Sequence, residues 1–355
     1  MMLRRDFLKT GAMALAGSAG LGLAQDAWAA GKPQQLKVLS WGGPWGSALK
    51  EGVDASFTKQ TGIAVVEEAT AIAYERIDKL KADLANQSYD IVQLYDEVWP
   101  YAVMADVVEP IDRNSPLLKN LKAVYPRFIY SHWVAQSFTA IGLVYNTERV
   151  KTPPTAFADL WRAEFKGQIA LPDMLENIGA DIIPIGALAA GKDPKDAEAG
   201  FAMLQKLTQQ QPIWTKDSFS RMTALKEGKA VLAILNASDV HRAQTMGAPV
   251  KWVYPKEGAI SISWGTGIAK GTKNKEWAEI YLDQTLDARN QAFFTRAFDY
   301  AGTNSNALGQ LTPELQARVR FSTDELNRLV ELDQAFIAQH RKEWGERFKR
   351  ITGAG

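Results

Sequence analysis

Segment 250–286 combines two strand patterns with a helix late in the chain, and this combination limits the possible folds. Residues 251–254 form a short strand-like run, and residues 260–264 then alternate apolar and polar side chains, which is the period of a half-buried strand. After a glycine-containing turn, Asn274 is placed to cap an amphipathic helix. A unit of this kind so late in the chain indicates a return to a lobe begun earlier. An ordinary strand–helix unit of a single α/β domain is the alternative.

The chain of 355 residues is long for one hydrophobic core, which predicts two lobes. Its hydrophobic fraction of 46% and charged fraction of 23% are those of an ordinary soluble globular protein. Removing residues 1–29, which hold three basic and two acidic residues, leaves 38 of each sign. A neutral chain gives no electrostatic argument for nucleic acid or a membrane surface as partner.

The N-terminus has the pattern of an export signal. Arg4 and Arg5, followed by Asp-Phe-Leu-Lys, precede a weakly hydrophobic run, and residues 27–29 place small side chains where a signal peptidase cuts. The twin arginines resemble a Tat signal, and a Sec signal with an incidental Arg pair is the alternative. Cysteine is absent, and no later apolar run reaches the ~18 residues of a membrane span. We therefore predict a periplasmic protein, cleaved near Ala29.

Strand and helix patterns alternate through residues 36–94, which predicts a mostly parallel sheet. Ligands of such sheets bind outside the carboxyl ends of the strands. Tyr95, Asp96 and Glu97 lie at the carboxyl end of the third predicted strand. Their position, more than their polarity, makes them candidate binding residues.

Two acidic residues follow the Leu-Pro pair at 171–172. Asp173 and Glu176 are expected three residues apart on one face of a helix, where two carboxylates could act together. Acids in a first helical turn also interact favourably with the helix dipole, and that structural role is the alternative.

A second polar group is expected further along the chain. The pattern predicts a helix over 218–227, capped by its own first serine and carrying Arg221, and then a buried strand over 229–235. Asn236 and Asp239 follow the carboxyl end of that strand. Arg221 and Asp239 together would form an unlike-charge set that suits a zwitterion.

The tail is predicted to be one long amphipathic helix from Ser322. It begins with a capping box formed with Glu325 and carries a stripe of apolar residues. The stripe, which includes His340, is interpreted as packing against the rest of the protein.

Three blocks of sequence resemble one family. Residues 152–170 contain Pro-Pro-Thr, Asp-Leu-Trp and Phe-Lys-Gly-Gln-Ile in the order of that family's signature, and residues 138–146 end in Tyr-Asn like its first crossover strand. Segment 250–286, with Lys-Glu-Gly, Trp-Gly and Lys-Asn-Lys-Glu, is similar to its second crossover. The chain thus resembles the bacterial periplasmic solute-binding proteins of ABC importers, in particular the spermidine/putrescine-binding branch.

The resemblance implies a two-lobed α/β fold of the periplasmic binding protein type II, with two crossover hinge strands. Each lobe would be a mixed, mostly parallel sheet flanked by helices. It divides the mature chain into a first lobe of residues 30–142 plus 264–310 and a second lobe of residues 143–263 plus 311–355. It also implies that the protein, expected to be a monomer, delivers a small amine to a permease in the inner membrane.

The resemblance places the ligand between the lobes. Trp41 would pack on the ligand, although a buried loop tryptophan is the alternative, and Trp264 and Tyr300 would also face the cleft. The candidate ligand-binding residues are Trp41, Tyr95, Asp96, Glu97, Asp173, Glu176, Arg221, Asn236, Asp239, Trp264 and Tyr300.

Departures from the branch leave the ligand open. Leu235 stands where polyamine binders have a tryptophan, and Trp264 stands where they have an aspartate. Without that acid, a second ammonium group would be left unpaired. The expected ligand is therefore a polyamine or a related amine, with an amino-acid-like or opine zwitterion as the alternative.

Catalysis has little support in the sequence. No Gly-x-Ser-x-Gly motif occurs, the histidines are scattered, and Gly265-Thr266-Gly267 lacks the third glycine of a dinucleotide fingerprint. No cofactor or metal is expected. A secreted hydrolase using Asp173 and Glu176 is the alternative of another class, although glycosidases generally place such acids across a sugar.

Overall fold

The computed structural model of the protein describes residues 31–354. The predicted export signal and its cleavage site lie outside the described residues.

The strands form one ten-stranded mixed sheet in the order β2-β1-β3-β9-β4-β7-β5-β6, with β8 and β10 both pairing with β4. The strands are β1 Gln35–Ser40, β2 Ala64–Ala69, β3 Ile91–Tyr95, β4 Val134–Asn146, β5 Ile169–Pro172, β6 Ile213–Thr215, β7 Leu232–Asn236, β8 Val250–Val253, β9 Ile260–Ile268 and β10 Ala301–Gly302. We call the β2-β1-β3 side the first lobe and the β7-β5-β6 side the second lobe. Within each side these strands are parallel, which confirms the predicted fold class.

Helices flank the sheet, and a π-helical turn, Leu49–Asp54, joins the first two of them. The α-helices are α1 Gly43–Ala48, α2 Ala55–Thr61, α3 Ala73–Asp83, α4 Trp99–Met104, α5 Ile182–Ala189, α6 Ala197–Thr208, α7 Ser218–Lys226, α8 Asp239–Thr245, α9 Lys275–Thr285, α10 Ala288–Phe298, α11 Pro313–Val319, α12 Thr323–Arg328 and α13 Gln334–Thr352. Short 3-10 helices span Leu84–Asn86, Leu121–Ala123, Pro126–Phe128, Phe157–Trp161, Ala163–Phe165, Asn177–Asp181 and Leu308–Gln310.

The long strands β4 and β9 connect the lobes. They pair antiparallel with each other, β9 also pairs with β3 of the first lobe, and β4 also pairs with β7 of the second. The chain crosses a third time where Val330 forms a bridge to Ile260. Because all three crossings lie side by side, the junction between the lobes is a narrow ribbon of backbone suited to hinge motion.

Separate hydrophobic cores lie on the two sides of this junction. The change occurs within β4, since Ala140 packs in the first core and Ile141 in the second. The predicted lobe boundary at residue 311 does not agree with the packing. Leu329 still belongs to the first core, whereas Leu332 belongs to the second. The chain therefore enters the second lobe at the third crossing.

Two glycines of β9 allow tryptophan rings to cross the strand. A Cβ added at Gly265 would lie 2.4 Å from the Trp133 ring, and one added at Gly267 would lie 2.7 Å from the Trp99 ring. These two rings stack on each other with centroids 5.0 Å apart. The Gly-Thr-Gly sequence thus serves close packing here.

Local details correct some of the expected helix ends. Helix α7 is capped by Asp217, whose carboxylate accepts from the Ser220 N–H, because the chain turns one residue before Ser218. Asn274 stands at the N-cap of α9 but makes no side-chain cap hydrogen bond.

The predicted single tail helix is two helices. The capping box at Ser322 is present and starts α12, but α12 ends at Arg328 and α13 starts at Gln334. The helix is interrupted because residues 329–331 extend to pair beside β9 at the third crossing, and this tertiary pairing overrides the helical pattern.

Candidate ligand-binding site

A cavity of about 360 Å³ lies between the lobes at the carboxyl ends of their strands. It is lined by Tyr95, Asp96, Glu97, Leu175, Glu176, Ile178, Lys216, Asp217, Ser218, Asn236, Ile262 and Trp264. The carboxyl ends of β3, β6 and β7 all contribute to it, as expected for open α/β sheets. Its volume is within the range of small-molecule sites, about 300–1,000 Å³.

The first-lobe wall of the cavity is aromatic. Trp264, on β9, exposes part of its ring to the cavity, and Tyr300 stacks behind it with ring centroids 4.1 Å apart. Tyr95 lies next to Trp41, with centroids 6.3 Å apart. The guanidinium carbon of the buried Arg76 lies 3.8 Å from the centre of the Trp41 ring and covers one of its faces. These rings are fixed by packing before any ligand arrives.

A buried polar network supports that wall. The Gln93 side chain accepts from the Trp45 indole N–H at 2.6 Å and from the Ser40 hydroxyl at 3.1 Å. Its amide donates to Gln136 and to Thr266 at 3.3 and 3.2 Å. The network joins β1, β3, β4 and β9, so the aromatic wall and the crossing strands form a connected unit.

Asp96 links the first lobe to the crossing strand. Its backbone N–H donates to the Ser263 carbonyl at 2.9 Å, and its carboxylate accepts from the Ser263 N–H at 2.8 Å. Burial raises the pKa of Asp96 to about 7, although the N–H donors of Ser263 and Glu97 act in the opposite direction. Asp96 therefore titrates near neutral pH.

The second-lobe wall is ionic. Arg221 is fully buried and forms a bidentate ion pair with Glu176, in which its Nη2 donates to Oε1 at 2.8 Å and its Nη1 donates to Oε2. Nη1 also donates to the Thr215 hydroxyl at 3.0 Å. Since both oxygens of Glu176 are held, the negative charge of Glu176 is compensated within the lobe.

Asp173 and Glu176 do not lie on one face of a helix, and that prediction is wrong. They belong to a turn that precedes the 3-10 helix Asn177–Asp181. Buried Asp173 accepts from the Leu175 N–H at 2.8 Å, which shapes this turn. With Asp173 holding the turn and Glu176 bound to Arg221, neither carboxyl is arranged as a catalytic acid.

Asn236 and Asp239 meet at the end of β7. The Asn236 amide donates to the Asp239 carboxylate at 3.4 Å, and the Asn236 side-chain oxygen is buried without a hydrogen-bond partner among the described residues. Burial raises the pKa of Asp239, although Arg242 and Arg221 act against it. After burial, the charge of Asp239 also contributes to the raised pKa of Tyr300.

A carboxyl pair that spans the lobes lies next to the cavity. Burial, followed by the charge of Asp181, raises the pKa of Glu97 well above its usual value. Burial and the charge of Asp96 raise the pKa of Asp181 to about 8, while Arg341 acts in the opposite direction. An Arg341 nitrogen lies 3.7 Å from the Glu97 carboxylate, and another donates to the Glu176 carbonyl at 3.0 Å. Helix α13 thus carries a cation to the seam between the lobes.

The predicted residues occupy two layers. Tyr95, Asp96, Glu97, Glu176, Asn236 and Trp264 line the cavity. Each of the others contacts a lining residue from behind: Trp41 contacts Tyr95, Tyr300 contacts Trp264, Arg221 contacts Glu176, Asp173 bonds the turn at Leu175, and Asp239 contacts Asn236.

Sequence reasoning missed several residues of the site. Segment 216–218 follows the carboxyl end of β6 and could have been found by the strand-end argument that found Tyr95. Asp181 and Arg341 carry no such signal, because their effect on Glu97 depends on how the 3-10 helix Asn177–Asp181 and α13 are placed relative to the first lobe.

Neither a metal site nor a membrane span is evident in the described part of the chain. Among residues 31–354, no group of three or more His, Asp or Glu side chains is arranged to hold a metal ion. No helix in that range is both long enough and apolar enough to cross a bilayer.

Comparison with known proteins identifies the family. Residues 53–323 match the model of the bacterial extracellular solute-binding proteins. The spermidine/putrescine-binding periplasmic protein of Escherichia coli is 27% identical over 299 residues, which cover 80% of each chain. The gamma-aminobutyric acid-binding protein of Pseudomonas aeruginosa is 23% identical over 339 residues, 92% of this chain and 93% of that one.

A solved structure shares the fold. The crystal structure of an ABC transporter protein from Clostridium perfringens superposes with a TM-score of 0.80 at 23% identity, covering 89% of this chain and 99% of the other. The resemblance predicted from segments 138–146, 152–170 and 250–286 is confirmed at the level of the family. The chain belongs to the bacterial extracellular solute-binding proteins.

Proposed function

We propose that this protein is the periplasmic receptor of an ABC importer and binds a small amine between its two lobes. The observation that carries the proposal is the composition of the cavity, which combines the exposed face of Trp264 with the carboxyl groups of Asp96 and Glu97. Aromatic faces and carboxylates are the groups that bind ammonium ions. The similarity to polyamine- and gamma-aminobutyrate-binding proteins supports the same class of ligand.

The fold supplies a means of capture. Ligands enter such proteins when the lobes are apart, and closure about the crossing strands surrounds the ligand from both sides. Because three lengths of backbone join the lobes within residues 31–354, rotation would leave each hydrophobic core intact. The closed form would then be presented to the permease.

A zwitterion with an amino group and a carboxylate is the second candidate. It is favoured by the similarity to the gamma-aminobutyric acid-binding protein and by the presence of Lys216 at the cavity. The sequence suggested Arg221 as the partner of a ligand carboxylate. In the structure, Arg221 already donates to both carboxylate oxygens of Glu176. A ligand carboxylate would have to displace Glu176 from Arg221, so we place a simple amine first.

The test is isothermal calorimetry with putrescine, spermidine and gamma-aminobutyrate, combined with the substitution Trp264→Ala. We expect one-to-one binding of at least one amine and about tenfold weaker binding after the substitution, as loss of a cation–π contact predicts. Trp264→Phe is the matched control, because it keeps an aromatic face and should retain most of the affinity. The proposal would be contradicted if no amine gave a heat of binding or a change in thermal stability. It would also be contradicted if NMR showed that the protein consumes the amine.

A further inference from the structure

We propose that the ammonium group of the ligand is held by Glu97 of the first lobe together with Asp181 of the second, and not by Glu176. This inference rests on the proposed function, because it assigns the amine-binding groups of the same cleft.

The two carboxyl groups belong to opposite lobes. Glu97 follows the carboxyl end of β3 and lines the cavity. Asp181 is the last residue of the 3-10 helix Asn177–Asp181, and that helix also carries Ile178 into the cavity wall. Arg341 links the two sides, since one of its nitrogens lies 3.7 Å from the Glu97 carboxylate and another donates to the Glu176 carbonyl, next to the helix that ends at Asp181. Next to burial, the charge of Asp181 has the largest effect on the Glu97 carboxyl.

Asp181 lacks hydrogen-bond donors. The residue is 1% exposed, and both of its carboxylate oxygens are buried without a hydrogen-bond partner in the described part of the chain. Buried carboxylates in native proteins nearly always accept hydrogen bonds, because a bare one carries its full desolvation penalty. A ligand ammonium group, with its three N–H donors, would satisfy both oxygens.

The charges around the pair favour a cation. Asp96 and Glu176, the latter paired with Arg221, also act on both carboxyl groups, and the opposing cation is Arg341. The charges of Glu97 and Arg341 also act on Tyr74 and Tyr95, and burial raises the pKa of both. The cluster therefore holds more acidic groups than basic ones and either takes up protons or binds a cation.

Glu176 is a poor candidate by the same criteria. Its oxygens accept from both terminal nitrogens of Arg221, and its charge is compensated within the second lobe. An ammonium group would gain from Glu176 only by weakening an existing bidentate pair.

The cross-lobe position has a mechanical consequence. A cation bound to Glu97 and Asp181 at once would contact both lobes and stabilise the closed arrangement over the open one. Ligand chemistry and lobe closure would then be coupled through these two residues.

The experiment measures amine affinity in Asp181→Asn and Glu97→Gln by calorimetry at pH 7, with putrescine and gamma-aminobutyrate as the probes. We expect each substitution to weaken binding at least tenfold. The matched control is Glu67→Gln, which changes a carboxyl of similarly raised pKa inside the first lobe and should leave affinity within twofold. Circular dichroism and the unfolding midpoint establish that each variant is folded.

A second measurement is the number of protons released when the amine binds. An ammonium group between the carboxyls should lower their pKa values, so binding at pH 7 should release protons and the binding enthalpy should depend on the ionisation enthalpy of the buffer. Asp181→Asn should reduce this release, and Glu67→Gln should leave it unchanged.

The outcomes separate the two proposals. If the wild-type protein binds neither amine, the proposed function fails and this assignment fails with it. If the wild type binds an amine, but Asp181→Asn and Glu97→Gln stay within twofold of its affinity and proton release, the proposed function stands and the assignment is wrong. If only Asp181→Asn misfolds, Glu97→Gln decides.

Discussion

Two pairs of carboxyl groups in this protein have similar electrostatics and different surroundings. Asp54 and Glu67 lie within the first lobe, where burial and their mutual contact raise the pKa of Glu67 to about 8. There the Tyr281 hydroxyl donates to Asp54 at 2.7 Å. Glu97 and Asp181 belong to opposite lobes, and burial raises the pKa of both carboxyls, but Asp181 has no hydrogen-bond donor among the described residues.

A perturbed pKa alone therefore does not identify a binding site. A carboxyl pair that is hydrogen-bonded inside one rigid unit is satisfied by the fold, and it needs nothing further. A carboxyl pair that lies between two lobes and lacks hydrogen-bond donors has part of its hydrogen-bonding capacity unused. Geometry and hydrogen bonding, not charge alone, distinguish the two.

The largest effect should be the pH dependence of stability. Glu67 and Asp181 have native pKa values of about 8, against ordinary values of 4.5 and 3.8, so the native state holds their protons more tightly than the unfolded chain. Their stabilisation is complete below the unfolded pKa values and is lost as pH rises towards 8. Relative to the double variant Glu67→Gln/Asp181→Asn, wild-type protein should lose roughly 7 kcal/mol between pH 5 and 8, about half from each carboxyl, since each group loses about 1.4 kcal/mol per pH unit over most of this range. Urea unfolding at several pH values measures this.

Each single variant should remove part of that difference. A wild-type curve that stays parallel to the curve of the double variant would mean that these carboxyls are not protonated in the native state.

A smaller effect should follow from removing the cation at the cross-lobe pair. Arg341→Met leaves Glu97 without its neighbouring guanidinium, and we expect a loss of about 2 kcal/mol at pH 8 and less at pH 5, where the carboxyls are protonated. Arg347→Met is the matched control on the same helix, because its partner Glu198 is exposed. That change should cost less than about 1 kcal/mol. Equal losses for the two variants would remove the distinction between them.

The smallest effect should come from the pair inside the first lobe. Tyr281→Phe deletes the hydroxyl that donates to Asp54 and should lower the free energy of unfolding by about 1 kcal/mol without changing amine affinity. Tyr89→Phe is the control, since Tyr89 donates at 2.9 Å to the exposed Glu68 and its loss should be hardly measurable. A change in affinity for Tyr281→Phe would show that the first-lobe pair communicates with the cleft.

Much of the fold could be predicted, because local sequence patterns indicate the strands and their order along the chain. The alternation over residues 260–264 marks β9, and the polar residues after β3 lie at the cleft because strand ends in such sheets share an edge. The positions of Trp264 and Tyr300 followed from the family resemblance, and the two rings stack.

The pairing of charges could not be predicted in the same way. Glu176 and Arg221 are 45 residues apart, and nothing local indicates that they bind each other instead of a ligand. The break in the tail at Leu329 was missed for a related reason. The helical pattern there is real, but the bridge between Val330 and Ile260 offers the backbone a partner 70 residues away. Contacts between residues far apart in the sequence determine the structure at such positions, and local sequence patterns do not indicate these contacts.

The late position of the second and third crossings in the chain also governs when this protein can fold. The first core draws on residues from Leu36 to Leu329, and the Tyr281 hydroxyl bonds to Asp54 across 227 positions of sequence. As the chain leaves the ribosome, the first lobe remains without β9 and α9 until most of the second lobe has been synthesised. Closing loops of this length is slow, and an incomplete first lobe exposes the unpaired edge of β3 to other chains. The nascent protein therefore needs protection from aggregation during most of its synthesis, and it reaches its native state only after the last third of the chain has emerged.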